Sequence, residues 1–298
     1  MANTGRDVGA TMLSRLQGPG GNYAMLALDQ RESMRGMFPR HEDGSYADDA
    51  ALKSFKNLAT GILTPYASAV LLDQPFGLGE DRPREIAENC GLIVAVDVLH
   101  QRPGAEITAV TLDESVTPDY LHHVDADAIK LLVLWHRKSG KDERERLVES
   151  ALELGRTAGV ASLVEGIVRP DSPGGWSDAA ERHDAILGCA SELSALGPDI
   201  YKAEVPGYVA GDVSGVREQS AQMSRIVGRD WVVLSNGVNA ADFPAAVAEA
   251  IDGGASGFLA GRAIWADAVP TADPGARMRE HSIDRLKNLA TIVEGAAR

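Results

Sequence analysis

The amino-acid sequence predicts a single (β/α)8 TIM barrel covering residues 1–298, with residues 1–20 as an N-terminal lead-in. Three observations predict it. Eight short runs rich in Val, Ile and Leu recur along the chain. They are continuously apolar rather than alternating, as strands of a parallel sheet covered on both faces are. Amphipathic stretches of helical spacing separate them, and no linker or low-complexity segment divides the chain. Eight strands alternating with helices over roughly 250 residues fit a closed barrel better than an open doubly wound sheet.

The first run is YAMLALD (23–29), followed by the polar loop FPRHEDGSYADDA (38–50) and a helix marked by Leu52, Phe55, Leu58 and Ile62. SAVLLD (68–73) is the second. FGLGEDRPREIAENCG then leaves room for only a short helix before the third run, LIVAVDV (92–98). The fourth, AIKLLVLW (128–135), precedes a helix carrying Leu147, Ala151 and Leu154. The fifth, ASLVEGIV (161–168), leads through the loop RPDSPGGWSD (169–178) into a helix with Ile186, Leu187, Ala190 and Leu193. Ser177 or Asp178 is suited to cap that helix and Gly197 to stop it. IYKAEVP (200–206) feeds a helix with Val216, Met223 and Ile226. WVVLSNG (231–237) feeds one with Phe243, Val247 and Ile251, ending at Gly253 and Gly254. GFLAG (257–261) closes the barrel, and Ile283, Leu286, Leu289 and Val293 mark the last helix. Both long loops fall on the C-terminal face, where barrel enzymes keep their chemistry.

Composition narrows the function. A formal charge of −14 disfavours nucleic acid and anionic membrane as partners. The N-terminus lacks the apolar core of a secretory signal, and no apolar run approaches the ~18 residues of a membrane span. A cytoplasmic protein is the expectation. Cys90 and Cys189 lie far apart without metal-ligand spacing and read as reduced thiols. Trp135, Trp231 and Trp265 flank strands and read as packing residues. No histidine or carboxylate spacing suggests a metal site. There is no G-x-S-x-G elbow and no phosphate-binding glycine motif of the nucleotide type.

Charged residues gather where the strands end. Asp29, Gln30 and Arg31 follow the first run, Asp73 and Gln74 the second, and Asp97 closes the third. Lys130, Glu165 and Lys202 lie within the fourth, fifth and sixth, and Glu204 shares the face of Lys202. Inward barrel positions favour Val, Ile and Leu, and ionisable groups there are costly unless paired. A lone strand lysine is ordinarily an edge residue or an ion-pair partner. Two lysines and a glutamate on consecutive strands point instead to a shared polar site. Their mutual field and partial burial would lower a lysine pKa, leaving a neutral amine able to attack a carbonyl. Glu165 would move protons and Asp29 would act on a hydroxyl. For Asp73 and Asp97, capping or structural ion pairing is the simpler reading. Glu204 either orients the amine or closes a structural ion pair.

LSNGV (234–238) and GGASGFLAGRAIW (253–265) place small residues just past the last two strands, beside Arg262. Backbone N–H groups there are positioned to approach an anion, as barrel phosphate sites do; the alternative is tight-turn glycines.

The segments AMLALDQRESMRGMF (24–38), PYASAVLLDQPFG (65–77), AIKLLVLW, LVEGIVRP (163–170), YKAEVP (201–206), WVVLSNGV (231–238) and GASGFLAGRAIW (254–265) resemble, in order, the class I aldolases that include tagatose 1,6-bisphosphate and sulfofructosephosphate aldolases. The sulfofructosephosphate branch resembles it most. The resemblance implies a Schiff-base lyase needing no cofactor and no metal, acting on a phosphorylated sugar or sulfosugar. Lys202 matches the Schiff-base lysine, Glu165 the acid/base residue, Lys130 the lysine beside it and Asp29 the acid of the first motif. Ser235, Gly237, Gly261 and Arg262 match positions holding dihydroxyacetone phosphate. Gln30 and Arg31 match positions near the other end of the sugar. A homo-oligomer is expected. The chain departs from the pattern at Gly166, where proline is expected, and lacks a basic residue soon after Glu204.

The reading is therefore an aldolase cleaving 6-deoxy-6-sulfofructose 1-phosphate to dihydroxyacetone phosphate and sulfolactaldehyde. The alternatives are a tagatose or fructose 1,6-bisphosphate aldolase of the same mechanism and a non-catalytic barrel that binds sugar phosphates.

Overall fold

The computed structural model describes residues 12–172 and 174–295; residues 1–11 of the expected lead-in lie outside the described residues. The strands and helices run β1 (Tyr23–Ala27), α1 (Glu32–Arg35), α2 (Asp49–Leu63), β2 (Ala69–Asp73), β3 (Gly91–Ala95), β4 (Asp97–His100), β5 (Ala109–Leu112), α3 (Pro118–His123), β6 (Ala128–Trp135), α4 (Lys141–Ala158), β7 (Ala161–Val168), α5 (Ala179–Ser194), β8 (Ile200–Glu204), α6 (Val216–Val227), β9 (Trp231–Leu234), α7 (Phe243–Asp252), β10 (Gly257–Ala260), α8 (Arg262–Trp265), α9 (Pro274–Arg277) and α10 (Ile283–Gly295). Eight of the strands close into a parallel barrel in the order β1-β10-β9-β8-β7-β6-β3-β2. This is the predicted (β/α)8 fold.

The sequence pattern accounts for each layer. Asp48 caps α2 by accepting from the Ala51 N–H, and Leu52, Phe55, Ala59 and Leu63 face the barrel at helical spacing. Leu58 and Ile62, expected on that face, lie at its margin, and Lys56 is buried in it instead. Asp178 caps α5, accepting from the Glu181 N–H.

The third run departs from expectation. It splits after Ala95, and β4 turns away to pair antiparallel with β5, Asp97 opposite Leu112. This hairpin was not predicted. Its strands are short and half exposed, and residues 101–108 between them carry no two-residue turn signature. The short helix expected after β2 is a single π-helical turn, Gln74–Leu78, capped by Asp73.

Strand alternation sorts the residues inside the barrel into layers. Tyr23, Met25, Ala27, Leu71, Ile93, Leu163, Ile200, Val232 and Leu259, with Leu16, form an apolar floor. Further along six of these strands, the same inward parity brings Asp29, Asp73, Asp97, Lys130, Glu165 and Lys202 together; all are buried. Leu132, Ile167 and Leu234 form a small apolar cluster above.

Candidate active site

The charged layer is one connected array. Lys130 Nζ donates to Asp29 Oδ2 at 2.8 Å and to Asp97 Oδ2 at 3.1 Å, and lies 2.7 Å from Glu165 Oε2. An ammonium has three N–H donors, so Lys130 is saturated by three carboxylates. Lys202 Nζ reaches the same Glu165 Oε2 at 3.0 Å and, among the described residues, pairs with that carboxylate alone. Asp97 also accepts from the Leu132 N–H at 2.9 Å and from Arg31 Nη2 at 3.2 Å. Arg31 Nε lies 3.6 Å from Asp73 Oδ2. Asp73 is paired with Lys56, wholly buried on α2, and accepts from the Phe76 N–H.

The field of this array sets its ionisation. Burial alone would depress the Lys130 ammonium, but Asp29, Asp97 and Glu165 outweigh it and hold its pKa well above the usual lysine value. The expected lowering of a lysine pKa is thus reversed at Lys130. Burial works to raise the Glu165 carboxyl, yet Lys130 and Lys202 carry it below its ordinary range. Asp29 behaves alike under Lys130, Lys202 and Arg31. At Lys56 burial prevails over Asp73 and the pKa falls.

A cavity of about 480 Å³ opens on the C-terminal face above this layer. Asp29, Gln30, Glu165, Asn236 and Arg262 line it, with Arg169 and the hairpin residue Gln101. Burial depresses the Arg262 guanidinium, which only Glu165 and Asp29 pull back; its side chain donates to Asn236 Oδ1. Lys202, only 3 % exposed, lies next to the lining through Glu165. This geometry is a buried amine and a carboxylate at the floor of a pocket with a cation on its wall.

Residues 23–267, nearly the whole barrel, match the DeoC/LacD family aldolase description. The chain belongs to the DeoC/LacD family of aldolases. It is similar to "Tagatose 1,6-diphosphate aldolase 2" of Streptococcus pyogenes serotype M3 (strain ATCC BAA-595 / MGAS315), 27% identical over 279 residues, covering 84% of this chain and 82% of the relative. It is similar also to "Tagatose 1,6-diphosphate aldolase" of Listeria monocytogenes serotype 4a (strain HCC23), 27% identical over 286 residues, covering 86% and 81%. Among solved structures, an archaeal fructose 1,6-bisphosphate aldolase shares the fold with a TM-score of 0.65 at 14% identity over 96% of this chain and 99% of that one. Another, described with its catalytic Lys covalently bound to the carbinolamine intermediate of the substrate, has a TM-score of 0.64 at 14% identity over 96% and 100%.

In this aldolase the four residues expected to be catalytic, Asp29, Lys130, Glu165 and Lys202, meet at hydrogen-bonding distance. The expected binding residues divide. Gln30 and Arg262 line the cavity. Arg31 does not: its guanidinium lies between Asp97 and Asp73. Gly237 lines a neighbouring cavity of about 740 Å³ rather than the main one, and Ser235 lines neither. Gly261 is buried against the Ala27 carbonyl. Glu204 accepts from Arg182 at 2.9 Å and from the Val168 N–H at 2.9 Å, so it closes a structural ion pair.

Polar residues of this region that went unread in the sequence include Lys56, Gln101 and Arg169. Arg169 had a signal, since it continues the inward parity of Glu165 and Ile167 by one step. Lys56 had a weaker one, as a charge on the Leu52–Phe55–Ala59 face. Gln101 had none, because the hairpin carrying it was not foreseen.

Proposed function

We propose that this aldolase is a class I, Schiff-base enzyme whose nucleophile is Lys202. The observation that carries the reading is the unequal company of the two lysines around Glu165. Lys130 has all three donors engaged by carboxylates, whereas Lys202 has Glu165 alone among the described residues. The first is a fixed positive charge; the second can become an amine.

On this reading, Glu165 takes a proton from Lys202 and the amine attacks the C2 ketone of a ketose 1-phosphate. Glu165 returns the proton as water leaves the carbinolamine. The resulting iminium accepts the electrons of the C3–C4 bond while Asp29 takes the proton of the C4 hydroxyl, releasing the aldehyde. The enamine is protonated at C3 and hydrolysed, freeing dihydroxyacetone phosphate and Lys202. Lys130 keeps Glu165 and Asp29 oriented and favours their return to the carboxylate form after each proton transfer. Arg262 and the backbone ends of β9 and β10, near Ser235, Gly237 and Gly261, would hold the phosphate on C1.

The substrate we propose is 6-deoxy-6-sulfofructose 1-phosphate, supported by the LDQRESMRGMF, KLLVLW and GFLAGRAIW segments; its metabolism would place the protein in the cytoplasm. The names of the relatives favour tagatose 1,6-bisphosphate as the second reading. Incubation with dihydroxyacetone phosphate and borohydride, followed by peptide mass mapping, is expected to give one stable adduct at Lys202. An adduct elsewhere, or none, sinks the mechanism. A kcat/KM for either bisphosphate equal to that for the sulfosugar removes the substrate assignment.

A further inference from the structure

We propose that Gln101 and Arg169 form the subsite for a singly charged anionic group at the end of the substrate remote from C1; this rests on the Schiff-base reading above. Both residues line the main cavity. The Gln101 Nε2 donor is buried and has no hydrogen-bond partner among the described residues. A buried amide donor left unpaired is costly, so a ligand acceptor is the natural occupant. Arg169 is little better satisfied. It lies 4.0 Å from the largely exposed Glu106 and reaches the Val168 carbonyl at 3.5 Å.

Barrel topology places this pair opposite Arg262. In the closed order of strands, β6 is four positions from β10, diametrically across the mouth. Arg169 follows β7 and Gln101 follows β4 from the end of β3, so the two flank β6 on either side. A ketose phosphate whose C1 group sits at Arg262 would span the cavity with its far end here. The supports are rigid. The Arg169 N–H extends the β6–β7 ladder by donating to the Trp135 carbonyl at 2.9 Å. The hairpin tip is tied down where the Gly104 N–H donates to the Glu32 carbonyl at 3.0 Å and the Tyr46 hydroxyl to the Pro103 carbonyl at 3.0 Å.

Charge selects the ligand class. Arg169 supplies one cation, the largely exposed Glu106 lies 4.0 Å from it, and Gln101 adds a neutral N–H donor. A sulfonate carries one negative charge and needs one cation plus neutral N–H donors. A phosphate monoester carries about two charges at neutral pH and would meet Glu106 as a like charge.

The test compares turnover with trapping. Arg169→Met is expected to lower kcat/KM for 6-deoxy-6-sulfofructose 1-phosphate about 100-fold, and Gln101→Leu about 10-fold. Dihydroxyacetone phosphate has no far end, so its borohydride trapping at Lys202 should be little changed, which also reports an intact fold. Glu106→Gln is expected to raise kcat/KM for fructose 1,6-bisphosphate relative to the sulfosugar about 10-fold. Turnover unmoved by both Arg169→Met and Gln101→Leu, or trapping lost in step with turnover, overturns the subsite. Absence of any Lys202 adduct in the unmutated protein instead removes the Schiff-base reading, and the subsite with it.

Discussion

Replacing Lys130 with Met would leave Asp29, Asp97 and Glu165 facing one another across the barrel without their shared cation. Breaking a buried ion pair from one side costs about 3–5 kcal/mol. Since Lys130 helps hold both Glu165 and Asp29 below their usual pKa, its loss should raise both. The acid limb of the kcat/KM profile is then expected to move towards neutral pH, which a pH–rate comparison would show. The charged residues of the array were legible because strand parity is simple: a charge two residues beyond an apolar inward position must itself point inward. Gly166, which looked like a departure, has a local cause. A Cβ there would lie 2.4 Å from the Tyr201 hydroxyl and 2.5 Å from Cys189 Sγ, so no larger residue fits between β7, β8 and α5. Lys56 escaped notice because it arrives from a helix, where one charge on an apolar face usually reads as a solvated edge.

At the scale of elements, the hairpin β4–β5 links the chemistry to the cavity wall. Its first residue, Asp97, holds Lys130 and Arg31, while its tip supplies Gln101. The tip docks where Gly36 meets Gly104 so closely that a Cβ on Gly36 would lie 2.5 Å from the Gly104 Cα. Gly36→Ala is expected to push the hairpin off α1, costing roughly 1–3 kcal/mol of stability. KM should rise more than kcat falls, because the base of the hairpin stays anchored; thermal melts and steady-state kinetics check both. The eight barrel strands and their long helices were legible from apolar runs and helical spacing. The hairpin was not, since its strands bury little and lie under the same Val-rich stretch that builds β3.

Across the whole molecule, the interior array joins four cations, Lys56, Arg31, Lys130 and Lys202, to four carboxylates, Asp73, Asp97, Asp29 and Glu165. It is electrically balanced inside a chain of formal charge −14. Its pH response follows from the shifts. Asp29 and Glu165 have depressed folded pKa values, so their stabilisation is complete above the ordinary carboxylate range near about 4 and is lost as pH falls through the lower folded values. Lys130 is raised, so its contribution is complete below about 10.4 and fades as pH climbs through its folded value. Lys56, lowered by burial, works in the opposite sense on that alkaline side. Urea midpoints are expected to drop below pH about 4 in the unmutated protein and to drop less in Asp29→Asn. The two buried thiols offer an independent clock. Burial pushes Cys90 up to about 12 and raises Cys189, on the buried face of α5 against Gly166, as well. Neither is a thiolate at neutral pH, and thiol reagents attack thiolates. The native protein should therefore resist alkylation at both positions, and the slow labelling of Cys189 would time how often α5 lifts from the strand that bears Glu165.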